Sequence, residues 1–225
     1  MIAVAVDGPA GAGKSTLARE VAKQLGMLYV DTGALYRAIG LYVLRCGVDP
    51  KDRTAVSPLL DNISVTMTHE QGNQFVWLCG EDVSGLIRTQ EVSMAASQVS
   101  AHPEVRAFLF DLQRDLALST PAVMDGRDIG TVVLPEAAVK IFLTASAEER
   151  ARRRVEQLEK AGQPADFDRV LAEVKQRDEQ DTNRPVAPLK QAEDAVLVDT
   201  TGETPEESLN RMIGIIREKI GSYLA

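Results

Sequence analysis

A run near the N-terminus, Gly8-Pro9-Ala10-Gly11-Ala12-Gly13-Lys14-Ser15-Thr16, carries the clearest chemistry in the chain. It fits G-x-x-x-x-G-K-[ST] without mismatch. It follows an apolar run of strand length, Ile2 to Asp7, and opens a segment, Ser15 to Leu25, in which Leu17, Val21 and Leu25 keep helical spacing. That strand–turn–helix context separates a P-loop from a chance glycine-rich turn. The glycines let backbone N–H groups turn inward around phosphates. Lys14 is spaced to reach the β- and γ-phosphates of a nucleoside triphosphate, and Ser15 to ligate Mg²⁺ through its hydroxyl. The chemistry implied is the binding, or the transfer, of a phosphoryl group.

A P-loop does not name the acceptor. Three classes compete: a small-molecule kinase, a switch GTPase and a non-catalytic nucleotide sensor. Asp82-Val83-Ser84-Gly85 matches the loose D-x-x-G of GTPases, but no N-K-x-D occurs in the chain. The arginines favour a kinase. They outnumber the lysines about two to one and cluster at Arg150, Arg152, Arg153 and Arg154. Guanidinium groups hold phosphate in bidentate fashion. Asp125-Gly126-Arg127-Asp128 closes a short apolar run, Pro121 to Met124, where a buried carboxylate needs a partner. By analogy with Walker-B aspartates, Asp125 is a candidate to hold Mg²⁺ through its water ligands. The two histidines, His69 and His102, fall in no motif and read as surface residues.

The elements that must position these residues alternate. Short apolar strands are expected at Ile2–Asp7, Met27–Val30, Pro121–Met124, Val139–Leu143 and Ala195–Val198, separated by helices. Asp31-Thr32-Gly33 reads as a polar turn before a helix from Ala34 to Cys46. Ser146 to Ala161 reads as a charged helix with Ser146 as cap and Glu149 at the capping-box position. Phe167 to Asp181 forms a second charged helix, and Glu206 to Ser222 closes the chain. The pattern implies a doubly wound α/β fold with a five-stranded parallel sheet. One stretch breaks the rhythm. Ile63 to Met67 and Phe75 to Leu78 flank Glu70-Gln71-Gly72-Asn73 and read as an antiparallel pair within an insertion. Helices at Thr89–Ala101 and Pro103–Leu118 follow it.

Composition sets limits. With 225 residues the chain is long enough for one sizeable domain, or one with insertions. Its net charge of −8 argues against nucleic-acid polymers and anionic membranes as partners. Cys46 and Cys79 are isolated and read as reduced, partly buried thiols. No run resembles a signal peptide or a membrane span, so a cytoplasmic protein is expected.

Four further segments make a resemblance specific. Asp31-Thr32-Gly33-Ala34-Leu35-Tyr36-Arg37 is the first. Gly80-Glu81-Asp82-Val83-Ser84, with Ile87-Arg88-Thr89, is the second. Asp125-Gly126-Arg127-Asp128-Ile129-Gly130-Thr131 and Asn183-Arg184 with Ala187-Pro188 complete the set. With the P-loop they resemble bacterial cytidylate kinase across nearly the whole chain. The resemblance implies a P-loop NTPase-type three-layer fold with its core at about 1–32, 118–148 and 185–225. It also implies a monophosphate-binding insertion at about 33–117 and a short helical lid at about 149–184.

The same resemblance implies transfer of a phosphoryl group from ATP, with Mg²⁺, to CMP and dCMP, by a monomer. The acceptor is an ionised phosphate oxygen and needs no general base; charge neutralisation and in-line alignment matter instead. Arg37, Arg127 and Arg184 would grip the CMP phosphate. Arg177 and Asp181 would hold the ribose, with Thr32 and Tyr36 lining the pocket. Ser97, Arg106 and Asp128 would read the base. A carboxylate accepts from cytosine N4, whereas uracil faces it with an acceptor. Arg150 and Arg154, four apart on one helix face, are expected to close over ATP. Taken singly, Arg37 also reads as snorkelling from an apolar helix and Arg106 as a solvated helix charge. Thr32 stands where many members carry serine, and Thr182 where some carry arginine. The runner-up is another P-loop kinase, of UMP or a small metabolite.

Overall fold

A computed structural model describes residues 2–221. The strand expected before the P-loop is β1 (Ala3–Asp7), buried at every position. It leads through the loop into α1 (Lys14–Leu25), which Gly26 ends in the left-handed region. β2 (Leu28–Asp31) runs directly into α2 (Thr32–Arg45). The expected turn at Asp31-Thr32-Gly33 is the start of that helix. Asp31 is its N-cap and accepts from the Ala34 N–H, so Thr32 and Gly33 already lie in the first turn.

A short helix, α3 (Arg53–Val56), precedes the antiparallel strands β3 (Val65–Glu70), β4 (Asn73–Leu78) and β5 (Glu81–Asp82). The third strand adds two residues to the expected hairpin. Next come α4 (Gln90–Val99) and α5 (Pro103–Ser119). The chain returns to the main sheet with β6 (Ala122–Gly126) and, after a single π-helical turn at Ile129–Val133, β7 (Val139–Thr144). Helices α6 (Ala147–Lys160) and α7 (Phe167–Asn183) pack on each other before β8 (Val196–Asp199) and α8 (Pro205–Ile220). Ser222, the expected end of the closing helix, lies outside the described residues.

The main sheet has five parallel strands in the order β2-β6-β1-β7-β8. Alternation along β1 builds the three layers. Ala3 and Ala5 face a core shared with α2, α4 and α5, through Leu35, Ile39 and Leu109. Val4 and Val6 face the opposite core with α1 and α8, through Leu17, Val21, Met212 and Ile216. From their carboxyl ends the neighbouring strands β1 and β6 lead in opposite directions, β1 to β2 and β6 to β7, which opens a crevice between them. Among the described residues, no helix is long and apolar enough to cross a membrane.

Three sequence expectations need correction. His102 is buried, and its Nε2 meets Pro50 O at 2.8 Å; half-buried His69 meets Tyr29 O at 2.8 Å. Both rings find a backbone carbonyl, which a sequence does not display. Cys46 and Cys79 are exposed free thiols, because both sit at turn positions just beyond α2 and β4. At α6, Ser146 accepts from the Glu149 N–H, but the Glu149 carboxylate turns to Arg152 and Arg153 instead of completing the capping box. The complete box forms at α8, between Thr204 and Glu207.

Candidate active site

The P-loop geometry follows from its glycines. At Gly8 (φ 147°) a Cβ would lie 1.9 Å from Leu143 O of β7, so no side chain fits. Gly13 (φ 91°) is left-handed and delivers the chain into α1 with Lys14 as its first residue. Lys14 is buried, and its Nζ donates to Pro9 O at 2.7 Å, folded back over its own loop. Burial pushes its pKa down to about 7; Arg127 adds to this, while Asp125, Asp181 and Asp7 oppose it.

Asp125 sits on β6, flanked by Val6 of β1 and Asp31 of β2. Its carboxylate accepts from the Ser15 hydroxyl at 2.7 Å and the Tyr29 hydroxyl at 3.1 Å. Burial raises its pKa to about 6, with nearby Asp31 contributing, despite Lys14 and the two hydroxyls. Thr32 Oγ1 donates to the Asp125 carbonyl at 2.8 Å, tying α2 to the same strand. Among the described residues, no set of three His, Cys, Asp or Glu side chains converges on a metal position. Ser15 and Asp125 do fit a magnesium ion that takes its remaining ligands from phosphate and water. They are hard oxygen donors at the P-loop, and the carboxylate has no cationic hydrogen-bond partner.

Beyond β6, arginines and aspartates are paired in advance. Asp128 is buried and holds Arg106 on one oxygen and Arg184 on the other, the latter at 3.3 Å. Arg106 also lies over the Tyr36 ring, 5.5 Å from its centroid. This removes the solvated-charge reading of Arg106, which is only 9% exposed. Arg127 Nε donates to Asp181 at 2.8 Å, and Arg37 to Asp31 at 2.6 Å. Burial opposes the Asp181 carboxylate, yet Arg127 and Arg177 outweigh it and hold its pKa below the usual range. The Nε atoms of Arg37 and Arg177 are buried without a hydrogen-bond partner. Burial, with Arg127 nearby, lowers the Arg177 pKa to about 10.

A single cleft of about 530 Å³ joins these groups. Its wall includes Ala10 to Thr16 of the P-loop, Thr32, Tyr36, Arg37, Ser97, Arg106, Asp125, Arg127, Asp128, Arg177, Asp181 and Arg184. Arg150 and Arg154 are not on it. Arg150 is 5% exposed and spends its guanidinium on Asp178 of α7, at 2.6 and 2.9 Å, and on the carbonyls of Ala145 and Ala10. Arg154 donates to Gln90 of α4 at 2.7 Å. In this conformation the pair chosen by the helix-face argument lies off the cleft wall. The arginine in the cleft is Arg153, which donates to Ala12 O, to Thr200 Oγ1 and to Thr200 O at 2.8 Å. In a run of three arginines, spacing alone does not say which one faces inward.

Other residues of the site carried no motif signal. Tyr29 braces Asp125, and Gln74 of β4 bonds the backbone of Asp31 at 2.8 Å through Oε1. Asp7 ends β1 beneath the loop after Asp128. Only Asp7 had a usable clue: an acidic residue at the end of a fully apolar strand.

A family model for cytidylate kinase matches residues 4–218. The chain belongs to the cytidylate kinase family. It is 48% identical over 219 residues to a cytidylate kinase of Mannheimia succiniciproducens, covering 97% of each chain. It is 49% identical over 222 residues to one of Mycobacterium leprae, covering 98% of each. A solved structure of an uncharacterized protein from Eubacterium ventriosum superposes with TM-score 0.53 at 12% identity, over 96% of this chain and 98% of that one, which speaks to the fold alone. As a cytidylate kinase family member the chain is a phosphotransferase with a nucleoside monophosphate kinase role. The switch and sensor readings are set aside.

Proposed function

We propose that the chain transfers the γ-phosphoryl group of ATP to the phosphate of CMP and dCMP, giving ADP and CDP or dCDP. The observation that carries this reading is the continuity of the cleft from the P-loop to Asp128. A triphosphate on Lys14 and the loop amides meets an acceptor phosphate among Arg37, Arg127 and Arg184. The acceptor oxygen is already ionised, so no side chain has to remove a proton. The chain's own work is alignment and charge compensation. Lys14 leaves Pro9 O for the β- and γ-oxygens, where a neighbouring polyanion restores its charge. Arg127 and Arg37 exchange a carboxylate for the acceptor phosphate. Ser15, and Asp125 through water, would hold Mg²⁺, which would supply charge neutralisation on the triphosphate.

At the far end, Asp128 with Ser97 and Arg106 forms the base reader. Asp128 offers an acceptor to cytosine N4, and Arg106 a donor to its acceptor edge. Uracil presents an acceptor to the carboxylate and is disfavoured. Arg177 and Asp181 take the ribose. We also propose the division suggested by the sequence: a core at about 1–32, 118–148 and 185–225, a monophosphate-binding insertion at about 33–117, and a lid at about 149–184. Closure of the two mobile parts excludes water. The family resemblance suggests a monomeric enzyme.

The deciding experiment is a coupled assay of ADP release with CMP, dCMP, UMP, AMP and shikimate, run with and without Mg²⁺. Turnover is expected with CMP and dCMP, and only with the metal. Faster turnover of UMP than of CMP would remove the base-recognition argument.

A further inference from the structure

Asp7 lies outside the cleft wall, yet it is 5% exposed and ionisable. It is the last residue of β1, opposite Gly126 of β6. Its two carboxylate oxygens receive one backbone donor each: Ile129 N–H at 2.8 Å and Gly130 N–H at 2.7 Å. Those residues directly follow Asp128. They open the π-helical turn Ile129–Val133, whose first N–H groups have no partner within the turn. Asp7 therefore caps that turn from another strand. Asp128 sits just before it in an irregular conformation, φ −147° and ψ 26°, and its carbonyl accepts from Val132 and Val133. Asp128 lies in no regular element: the capped turn fixes its backbone through the carbonyl, and Arg106 and Arg184 hold its carboxylate.

Packing around the contact is tight. A Cβ on Gly130 would lie 3.3 Å from Asp7 Oδ2 and 3.2 Å from Lys140 Cδ. A Cβ on Gly126 would lie 2.7 Å from Ile129 Cδ1. The loop is thus pressed onto Asp7, which meets both amides directly. Burying a carboxylate here is costly; the pKa rises to about 6 by burial even with both N–H groups opposing. A charged group that touches no ligand position but fixes the residue next to one has the geometry of a supporting shell.

We infer that Asp7 is a positioning residue for base selection: by clamping the Ile129 and Gly130 amides it aims the Asp128 carboxylate at the pyrimidine, and so sets the preference for an amino-bearing over an oxo-bearing pyrimidine monophosphate. This rests on the reading of Asp128 as the base reader. An amide at position 7 offers one acceptor where two donors arrive, so Asp128 drifts, while the P-loop, which makes no hydrogen bond to the Asp7 carboxylate, keeps its shape.

The test uses kcat/KM for CMP and for UMP, and KM for ATP, in Asp7→Asn, Gly130→Ala, Asp128→Ala and the Asp7→Asn/Asp128→Ala double variant. Gly130→Ala disturbs the same contact from the loop side with β1 untouched, and serves if Asp7→Asn does not fold. The expected result is a fall of about tenfold in the CMP-over-UMP ratio for each of the first two variants, about the weight of one charge-assisted hydrogen bond. KM for ATP should stay within about twofold, and the double variant should lose no more discrimination than Asp128→Ala alone. A ratio unchanged in Asp7→Asn and Gly130→Ala, with Asp128→Ala collapsing it, overturns the inference and leaves the base reader standing. Equal rises in KM for ATP and CMP at a constant ratio make Asp7 a mere prop of β1. A ratio that survives Asp128→Ala sinks the base reader and the inference together.

Discussion

Asp125→Asn should make the ligand-free enzyme more stable while sharply lowering its turnover. Asp125 is 3% exposed, and burial is the largest cause of its pKa rising from 3.8 to about 6. For an acid with a raised folded pKa, the folded state binds more protons than the unfolded state between the two values. Its stability is therefore full below about pH 4 and falls as pH rises toward 6. At neutral pH the ionised carboxylate costs the ligand-free fold about 3 kcal/mol. An asparagine has nearly the same shape. The Ser15 and Tyr29 hydroxyls, each able to donate or accept, satisfy its amide. Urea denaturation at pH 7.5 should show the variant more stable by up to about 3 kcal/mol, the gap closing toward pH 4. Turnover with Mg²⁺ and ATP should fall by roughly a hundredfold or more, the scale of losing one preorganised electrostatic group. A variant no more stable than its parent at pH 7.5, or a gap that does not change with pH, would refute the view that this carboxylate is held under electrostatic strain until a cation arrives.

Two further substitutions test the framework. Gly40→Ala places a Cβ 2.9 Å from Ala96 N and 3.2 Å from Ala95 Cβ, against backbone that cannot yield, where α2 packs on α4. A loss of about 1–3 kcal/mol is expected by denaturation, with a several-fold rise in KM for CMP as α4 carries Ser97 off the cleft; an unchanged KM would uncouple α4 from acceptor binding. Arg150→Ala strands Asp178 and releases the Ala10 and Ala145 carbonyls. It should cost about 3 kcal/mol, the low end for a broken buried pair because Asp178 keeps some solvent. KM for ATP should rise more than KM for CMP. The reverse order would place Arg150 on the acceptor side.

The P-loop was legible without coordinates because its function lies in the backbone. A strand, glycines at fixed offsets and a helix start leave little else the chain can do there. The five strands were legible for a related reason: Ala3-Val4-Ala5-Val6 and Ala122-Val123-Met124 are apolar on both faces, which only a sheet covered on both sides accommodates. The acceptor-side motifs marked out Arg37, Arg127, Asp128 and Arg184 as a group, from segments as far apart as α2 and the end of α7. Tertiary structure alone decided the partners. Whether an arginine meets a carboxylate, a carbonyl or a cleft depends on contacts across many residues of sequence, as with Arg150 to Asp178, Arg153 to Thr200 and Arg127 to Asp181. Local periodicity reports which face of a helix a residue occupies, not what lies opposite. The histidines were misplaced for the same reason, since the carbonyls of Tyr29 and Pro50 that hold them belong to other elements. Asp7 is the sharpest case. Its type and place were visible in the sequence, but its role depends on two amides that come within 3 Å only because β1 and β6 are neighbours in the sheet.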